Sequence, residues 1–201
     1  MDFKITKENL EKKGYKVTCF EKSFDAKKYL TCQISNKTVG IGGSVTVKDI
    51  GLYDSLKENN TIYWHWNVPD GKTSLDMIAK SKNAQIYISS ANAISQNGEI
   101  INIDGTGNRV AAISFGHEKV YIIAGKNKLE PDLEKAISRA RNIAAPLNAK
   151  RLARKTPCAV NADKCYDCSS DERICRNLSV LYTKPTGAEY EVILINEDLG
   201  Y

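Results

Sequence analysis

Short apolar runs alternate with helix-forming segments along most of the chain, and this alternation limits the possible folds more than any other feature. Residues 84–90 (AQIYISS) and 119–125 (KVYIIAG) have the length and composition of buried strands, and each follows a segment with helical spacing. Residues 44–59 (SVTVKDIGLYDSLKEN) are predicted to form one helix. Because strands that alternate with helices form βαβ units, we predict an α/β fold with an open, mostly parallel sheet flanked by helices.

Glycine, serine and proline mark the predicted helix ends. The first helix is expected to stop at Gly14, and Ser23 is a candidate cap for the second helix. The longest predicted helix, 130–145, has Pro131 in its first turn, where a missing N–H is tolerated, and Pro146 at its end. These signals set the limits of the helices that alternate with the strands.

The length and composition are those of one globular domain. A chain of 201 residues can bury a core without disulfide or metal support, and no repeat or linker divides it. No window approaches the roughly 20 consecutive apolar residues of a membrane span, and the first residues lack the apolar core of a signal peptide. We therefore expect a single domain over residues 1–201, no membrane association and a cytoplasmic location, where clustered cysteines favour metal binding or catalysis over disulfides.

The charge distribution argues against nucleic acid as a ligand. The net charge is +5, and only residues 148–155 (NAKRLARK) form a basic run. This run is interpreted as a solvated helix end, with contact to RNA or to a phosphate-bearing ligand as the alternative. The sequence shows no basic–aromatic stripe and no recognisable nucleic-acid-binding motif.

Three glycine turns follow predicted strands, at the edge where open α/β sheets bind ligands. In the first, Gly42 and Gly43 would let the main chain approach a ligand, and Ser44 and Thr46 would add hydroxyl donors beside the amides of the next helix. The spacing matches neither a P-loop nor a dinucleotide-binding fingerprint. Chain reversal alone would explain one such turn, but three together favour a cleft for a small anionic ligand, a carboxylate or a phosphate.

The other two turns supply the opposite wall of this predicted anion cleft. Residues 104–109 (DGTGNR) concentrate polar groups, and residues 124–128 (AGKNK) end in Lys128, which would add positive charge. Arg109 suits a planar carboxylate because its guanidinium can bond both oxygens, and we place it among the catalytic candidates. The predicted ligand-binding residues are Gly42, Gly43, Ser44, Thr46, Asn92, Thr106, Asn108 and Lys128.

Asp104 and His65 are the candidates for acid–base catalysis. Asp104 could equally cap the helix that follows it. His65 lies at the end of a strand, where alternation would turn it away from Trp64 and Trp66, and it could act as a general base, a metal ligand or a packing residue. His117 is expected at the surface, in a helix-to-strand loop. One candidate histidine does not support a nucleophilic triad.

Four cysteines lie within residues 156–176, which we call the cysteine segment: Cys158, Cys165, Cys168 and Cys175. Six, two and six residues separate them in turn. Thiolates in a short loop can hold a soft metal ion or a cluster, but this spacing matches neither the paired cysteines of structural zinc sites nor a ferredoxin run. We predict that these cysteines bind an iron–sulfur cluster of the four-iron, four-sulfur type, with zinc as the alternative.

Basic residues are interleaved with these thiols. Positive charge from Lys155, Lys164 and Arg173 would lower the thiol pKa values and offset the negative charge of a thiolate cluster. Four unrelated buried thiols are a poor explanation for so polar a segment. Cys19 and Cys32 have no such neighbours and are predicted to be core residues.

Several stretches together resemble the LUD (lactate utilisation) domain family, in the short, free-standing form that carries a C-terminal cysteine segment. They are residues 39–56 (VGIGGSVTVKDIGLYDSL), 91–112 (ANAISQNGEIINIDGTGNRVAA), 120–152, 156–175 (TPCAVNADKCYDCSSDERIC) and the final LGY. The likeness runs from about residue 5 to residue 201. It implies a fold related to ribose-5-phosphate isomerase, glucosamine-6-phosphate deaminase and the CoA transferases.

The resemblance also implies a role near the oxidation of L-lactate to pyruvate, where some family members accompany iron–sulfur partner proteins. One departure from the related folds is informative. Class I CoA transferases carry a Ser-Glu-Asn-Gly stretch with a nucleophilic glutamate, and the nearest match here is Ser95-Gln96-Asn97-Gly98. An amide cannot act as that nucleophile, and Glu99 lies one place beyond the stretch, where its side chain would point elsewhere, so we reject CoA transfer by that mechanism.

The leading hypothesis is an iron–sulfur-binding oxidoreductase component of lactate or hydroxy-acid oxidation, with a cleft for a small anionic substrate. One alternative is an isomerase or hydrolase that acts on a phosphorylated or carboxylate small molecule and contains a purely structural zinc. Another is a non-catalytic redox-sensing assembly module. The expected partners are the anionic substrate and iron–sulfur proteins, and a homo-oligomer is left open.

Overall fold

The computed structural model describes residues 3–161 and 163–201. The strands in these ranges are β1 (Lys16–Phe20), β2 (Thr38–Ile41), β3 (Thr61–Trp64), β4 (Ile86–Ser90), β5 (Ala93–Ser95), β6 (Ile100–Asp104), β7 (Lys119–Gly125), β8 (Leu129–Glu130), β9 (Asn177–Leu181) and β10 (Glu189–Ile195). The α-helices are α1 (Phe3–Lys12), α2 (Ser23–Gln33), α3 (Val45–Asp49), α4 (Leu52–Leu56), α5 (Ser74–Ser81), α6 (Asn108–Ser114), α7 (Leu133–Arg139), α8 (Ala145–Arg151) and α9 (Pro157–Asn161). A 3₁₀ turn covers Lys126–Lys128, and a π-helical turn covers Ala140–Ala144.

A six-stranded parallel sheet forms the centre of the molecule, so the predicted α/β class is confirmed. Its strand order is β1-β10-β7-β4-β2-β3, and each neighbouring pair is parallel. Successive residues of β7 alternate between two apolar layers: Ile123 packs in one core and Ile122 in the other. Both are fully buried, as expected when helices cover both faces of a parallel sheet.

A smaller mixed sheet covers one end of the central sheet, in the order β8-β5-β6-β9. Strand β6 pairs antiparallel with both β5 and β9. Ile101 and Ile103 of β6 pack with Ala136 and Ala140, so this sheet has its own small core against the α7–α8 region. Strand β9 directly follows the cysteine segment, and this pairing attaches that segment to the rest of the fold.

Two predicted helix boundaries are wrong. The helix predicted over 44–59 is divided at Gly51, whose φ of 65° is left-handed, into α3 and α4. Pro146 does not end the long helix, which continues to Arg151. Pro146 lies at the start of α8, directly after the π-helical turn. Because the hydrogen-bond ladder shifts where π and α geometry meet, a missing N–H at this point is tolerated.

Of the three remaining helix signals, Gly14 lies two positions after the end of α1, with a left-handed φ of 88°, and the other two also differ by one or two positions from the structure. Pro131 precedes α7, whose cap is Asp132: its carboxylate accepts a hydrogen bond from the main-chain N–H of Lys135. Ser23 is the first residue of α2, and the cap position is Lys22, which makes no side-chain capping bond. The described ranges contain no helix with the length and apolar character needed to cross a membrane.

Three predicted burial states are also wrong. Cys19 and Cys32 are exposed rather than core residues, because β1 is an edge strand and Cys32 lies on the outer face of α2. His117, expected at the surface, is buried. Its Nδ1 lies 2.7 Å from the carbonyl oxygen of Ala84, and its ring stacks on Tyr87. Burial lowers the pKa of His117.

Candidate functional site

A cavity of about 530 Å³ lies at the carboxyl ends of the parallel strands. It is lined by residues that follow β2, β3, β4, β6 and β7, so one site collects side chains from distant parts of the sequence. The sequence-predicted residues that line it are Gly43, Ser44, Thr46, His65, Asn92, Asp104, Thr106, Asn108, Arg109 and Lys128. Gly42 is the exception, because a Cβ there would lie 2.8 Å from the hydroxyl of Tyr87, so protein rather than ligand approaches this glycine closely.

Lys128 is the most unusual group in the cavity, since its side chain is buried with 4% of the residue exposed. Its Nζ donates hydrogen bonds of 2.8 Å to Thr46 Oγ1 and 2.9 Å to Ser90 Oγ. Both acceptors are neutral hydroxyls. Burial lowers the pKa of Lys128 to about 7, and the positive charges of Arg139 and Arg109 act in the same direction. The amine is therefore held in a site that disfavours its charged form.

The last three residues of the chain pack against this amine. Thr46 Oγ1 donates a hydrogen bond of 3.2 Å to the carbonyl oxygen of Leu199. Gly200 has φ +60°, and a Cβ at this position would lie 2.6 Å from Thr46 Oγ1, so only glycine fits. Tyr201 lines the cavity, and its main-chain oxygen accepts a bond of 3.2 Å from Arg139. The final LGY stretch is therefore part of the site, which the pattern of the sequence alone did not indicate.

Arg109 lies on the opposite wall and is held by its neighbours. Its Nη2 donates to Asn92 Oδ1 at 3.3 Å and to the carbonyl oxygen of Ile103, while Nε lies 3.8 Å from Asp104 Oδ2. Within the described ranges Nη1 has no hydrogen-bond partner. Burial lowers the pKa of Arg109, although a guanidinium stays charged at physiological pH. The side chain thus presents a fixed positive group with free donors to the cavity.

The Asp104 carboxylate accepts hydrogen bonds from the turn that leads into α6 and from its first residues, while the N-cap position itself is Gly107. Its Oδ1 accepts hydrogen bonds of 3.1 Å from the amides of Thr106 and Gly107. Its Oδ2 accepts bonds of 3.1 Å from the amide of Arg109 and 3.2 Å from that of Val110. Both carboxylate oxygens are thus committed to main-chain donors, which is the geometry of the capping alternative. A role for Asp104 in acid–base catalysis stays a prediction.

His65 lies in the turn after β3, beside the main chain of Gly43. The expected alternation is wrong beyond Trp64, because the strand ends there and both His65 and Trp66 line the cavity. Trp66 stacks on the buried ring of Trp64 at 5.6 Å. Burial lowers the pKa of His65, which keeps the imidazole neutral near pH 7.

In the first glycine turn, Ser44 is the N-cap residue of α3. Its Oγ accepts a hydrogen bond of 3.1 Å from the amide of Val47.

Several arginines of the cavity were not predicted as site residues. Arg151 and Arg154 belong to the basic run interpreted as a solvated helix end, and Arg151 lies 4.7 Å over the ring of Trp66. Arg173 and Arg176 come from the cysteine segment. In all, the lining contains six lysine or arginine side chains and three carboxylates, so the cavity is positively charged. In the sequence, the basic residues of these two segments were the signal that could have identified the four arginines as site residues.

The four cysteines are half-buried and dispersed along their segment. Cys158 Sγ lies 3.3 Å from Thr156 Oγ1, while Cys165 Sγ accepts a bond of 3.3 Å from the amide of Asp167. Among the described residues, no group of three or more His, Cys, Asp or Glu side chains is placed to hold a metal ion. Thiolates suit iron or zinc chemically, but their positions here do not fit a cluster or a tetrahedral zinc.

The Ser95-Gln96-Asn97-Gly98 stretch lies at the β5–β6 turn, against α1. The following Glu99 is tied down there by two neighbours: Lys13 Nζ lies 2.5 Å from one carboxylate oxygen, and Ser95 donates to the other. These bonds lower the pKa of Glu99 against the opposing effect of burial. Glu99, the carboxylate nearest to the stretch that was compared with the CoA transferases, is thus part of a structural ion pair.

The fold and the site define an α/β protein with a positively charged cavity at the carboxyl edge of a parallel sheet. The family model for the LUD domain matches residues 3–195, and the chain belongs to this family. No curated protein is a significant match.

A solved structure shares the fold of this chain, and two others give weaker superpositions. A DUF162 family protein from Deinococcus radiodurans superposes with a TM-score of 0.52 at 10% identity, over 96% of this chain and 94% of that one. Ribose 5 phosphate isomerase A from Neisseria gonorrhoeae gives a TM-score of 0.34 at 18% identity, over 55% of this chain and 53% of its own. eIF2B beta from Chaetomium thermophilum gives a TM-score of 0.33 at 16% identity, over 66% of this chain and 44% of its own.

Proposed function

We propose that the chain binds a small organic anion in the cavity and acts on it in lactate or hydroxy-acid metabolism. The observation that carries this proposal is the position of Lys128, a buried amine with hydroxyl partners that lines a cavity with an excess of positive charge. Burying a cationic group is costly unless something compensates the charge, and an anionic ligand would do so. Membership of the LUD family supports the metabolic assignment.

The arrangement of donors favours a planar carboxylate at the Arg109 wall. The free Nη1 of Arg109 can donate to anionic oxygens, and so can the third N–H of Lys128 when its amine is protonated; charge-assisted bonds of this kind are strong. The volume of the cavity lies within the usual range of small-molecule sites. Arg151 and Arg154, nearer the surface, can attract the ligand through long-range charge.

Titration calorimetry of the full chain with L-lactate, pyruvate, inorganic phosphate and ribose 5-phosphate tests the proposal. At least one of these anions should bind, and Arg109→Ala should weaken it by roughly 10–100-fold, the value of a charge-assisted bond. Arg141→Ala is the matched control, because Arg141 is an exposed arginine beside Cys165, and it should leave the affinity unchanged. Absence of binding by all four ligands would contradict the proposal.

The iron–sulfur cofactor is a separate proposal. The presence of four thiols with interleaved basic residues supports it, whereas the positions of the thiols in the structure do not. The segment would have to rearrange to bring the sulfurs together. Purification without oxygen, followed by a visible absorption spectrum and assays of iron, zinc and sulfide, tests it. Brown absorbance with about equal iron and sulfide would support a cluster. A colourless protein with one zinc would support the zinc alternative, and a metal-free protein would remove both.

A further inference from the structure

We propose that Lys128 is a nucleophile that forms a Schiff base with a small aldehyde or ketone carrying an anionic group. The inference rests on the proposed function, because the anionic group must be bound in the same cavity. It goes further by naming the reactive functional group of the ligand, a carbonyl carbon, and the atom that attacks it, Lys128 Nζ.

The hydrogen bonds of Lys128 suit the neutral, nucleophilic form of the amine. A neutral amine has two N–H bonds and one lone pair, and Nζ has two acceptors, the hydroxyls of Thr46 and Ser90. With both N–H bonds used, the lone pair occupies the remaining tetrahedral direction. Since Lys128 lines the cavity, a ligand there can reach this amine.

The charges that face Lys128 come from three helices. Arg139 of α7 and Arg109 of α6 oppose protonation, while Asp49 of α3 favours it and contributes least. Burial is the largest effect, and together these groups bring the pKa to about 7. Near pH 7 the neutral form of this amine is therefore far more populated than that of an exposed lysine, which is neutral in about one molecule in 3,000. Desolvation of a lysine in this way is a recognised route to imine chemistry.

The reaction balances without an oxidant, a reductant or a metal. The lone pair of Nζ attacks the carbonyl carbon, an N–C bond forms, and one N–H proton moves from Nζ to the carbonyl oxygen to give a carbinolamine. The hydroxyl then takes a second proton, the C–O bond breaks and water leaves, and the loss of the remaining N–H proton from Nζ gives the neutral imine. Thr46 and Ser90, each within 3 Å of Nζ, are placed to pass these protons, and Arg109 is placed to hold the anionic group.

Reductive trapping on the full wild-type chain tests the proposal. Pyruvate supplies a carbonyl with a carboxylate, and glycolaldehyde phosphate supplies one with a phosphate. Each is incubated with the protein and sodium cyanoborohydride, and intact-mass and peptide-mass measurements locate the adduct. One adduct per chain on Lys128 is expected, formed roughly 10-fold or more faster than on exposed lysines and faster at pH 8 than at pH 6. The preferred probe distinguishes carboxylate from phosphate ligands.

Two variants and one binding measurement complete the test. Lys128→Arg should abolish the adduct, and Lys126→Arg should retain it, because Lys126 is an exposed lysine two residues away. If Lys128→Arg fails to fold, the adduct position in the wild-type chain decides. Trapping on exposed lysines alone, or no trapping by a probe that calorimetry shows to bind, would overturn the Schiff base and leave the anion site standing. If neither probe binds although lactate, phosphate or ribose 5-phosphate does, the Schiff base fails and the anion site stands; if no ligand binds, both proposals fail.

Discussion

The walls of the cavity and the cysteine segment hold their polar side chains in different ways. In the cavity, buried groups are bonded by residues distant in sequence: Lys128 donates to Thr46 and Ser90, which lie 82 and 38 positions away. In the cysteine segment, many bonds are local and partly exposed, such as those from Arg173 to the carbonyl oxygens of Cys168 and Cys175. The fold thus preorganises the side chains of the cavity, whereas the arrangement of the thiols depends on a loop.

The two regions nevertheless share a wall. Residues 171–174 and 176 line the cavity, and a Cβ on Gly105 would lie 2.9 Å from the carbonyl oxygen of Ile174. The amide of Arg176 donates a bond of 3.0 Å to the carbonyl oxygen of Asp104. A change in the cysteine segment can therefore reach the cavity through main-chain contacts. The following predictions test how far the regions are independent.

The largest effect is expected from a substitution in the preorganised wall of the cavity. Asp104→Ala removes an acceptor of four main-chain N–H groups at the start of α6, and it should lower the free energy of unfolding by about 3 kcal/mol. Denaturant unfolding measures this loss. The control is Asp132→Ala, which removes a cap with one such bond and should cost about 1 kcal/mol. If both variants lost the same free energy of unfolding, the four bonds of Asp104 would stabilise the fold no more than the single bond of Asp132.

The fold was predictable because its signals are local. Apolar runs and helical spacing define βαβ units, and parallel strands bring their carboxyl ends to one edge, so residues after β2 and β7 could be placed together. Strand β6 lies in the smaller mixed sheet instead, so the position of the residues that follow it could not be argued in this way. The roles assigned to those residues remain predictions. The contacts of Lys128 with Ser90 and Gly200, and the pairing of β9 with β6, depend on packing between distant segments and have no local signal.

The next effect concerns the cost of burying Lys128. Its folded-state pKa of about 7 lies below the ordinary value near 10.5, so the unfolded chain binds more protons between these pH values. Stability therefore rises with pH across this window, and the cost of the buried amine is greatest below pH 7. Lys128→Met should raise the free energy of unfolding by about 2 kcal/mol at pH 6 and by less at pH 9. A destabilised variant at both pH values would contradict this account.

A smaller effect is expected where the two regions meet. Gly105→Ala would force the carbonyl oxygen of Ile174 away from β6, which should loosen the cysteine segment and cost about 1 kcal/mol. Limited proteolysis should then cut within residues 156–176 more readily than in the wild type. Gly187→Ala is the control, because a Cβ there meets only ordinary van der Waals contact with Phe115. Unchanged proteolysis in the Gly105 variant would mean that this contact does not hold the segment in place.

The smallest expected effect tests the independence of the cavity directly. Cys165→Ser replaces a half-buried thiol whose contacts are the amide of Asp167 and the guanidinium of Arg141, neither of which lines the cavity. If the fold alone preorganises the anion site, calorimetry should show a change in affinity of less than about twofold, within the scatter of surface substitutions. The same variant should lose any metal that the wild-type chain carries after purification without oxygen. A large loss of anion affinity together with the metal would join the two regions into one functional unit, since the segment would then have to be ordered before residues 171–174 and 176 could complete the cavity wall.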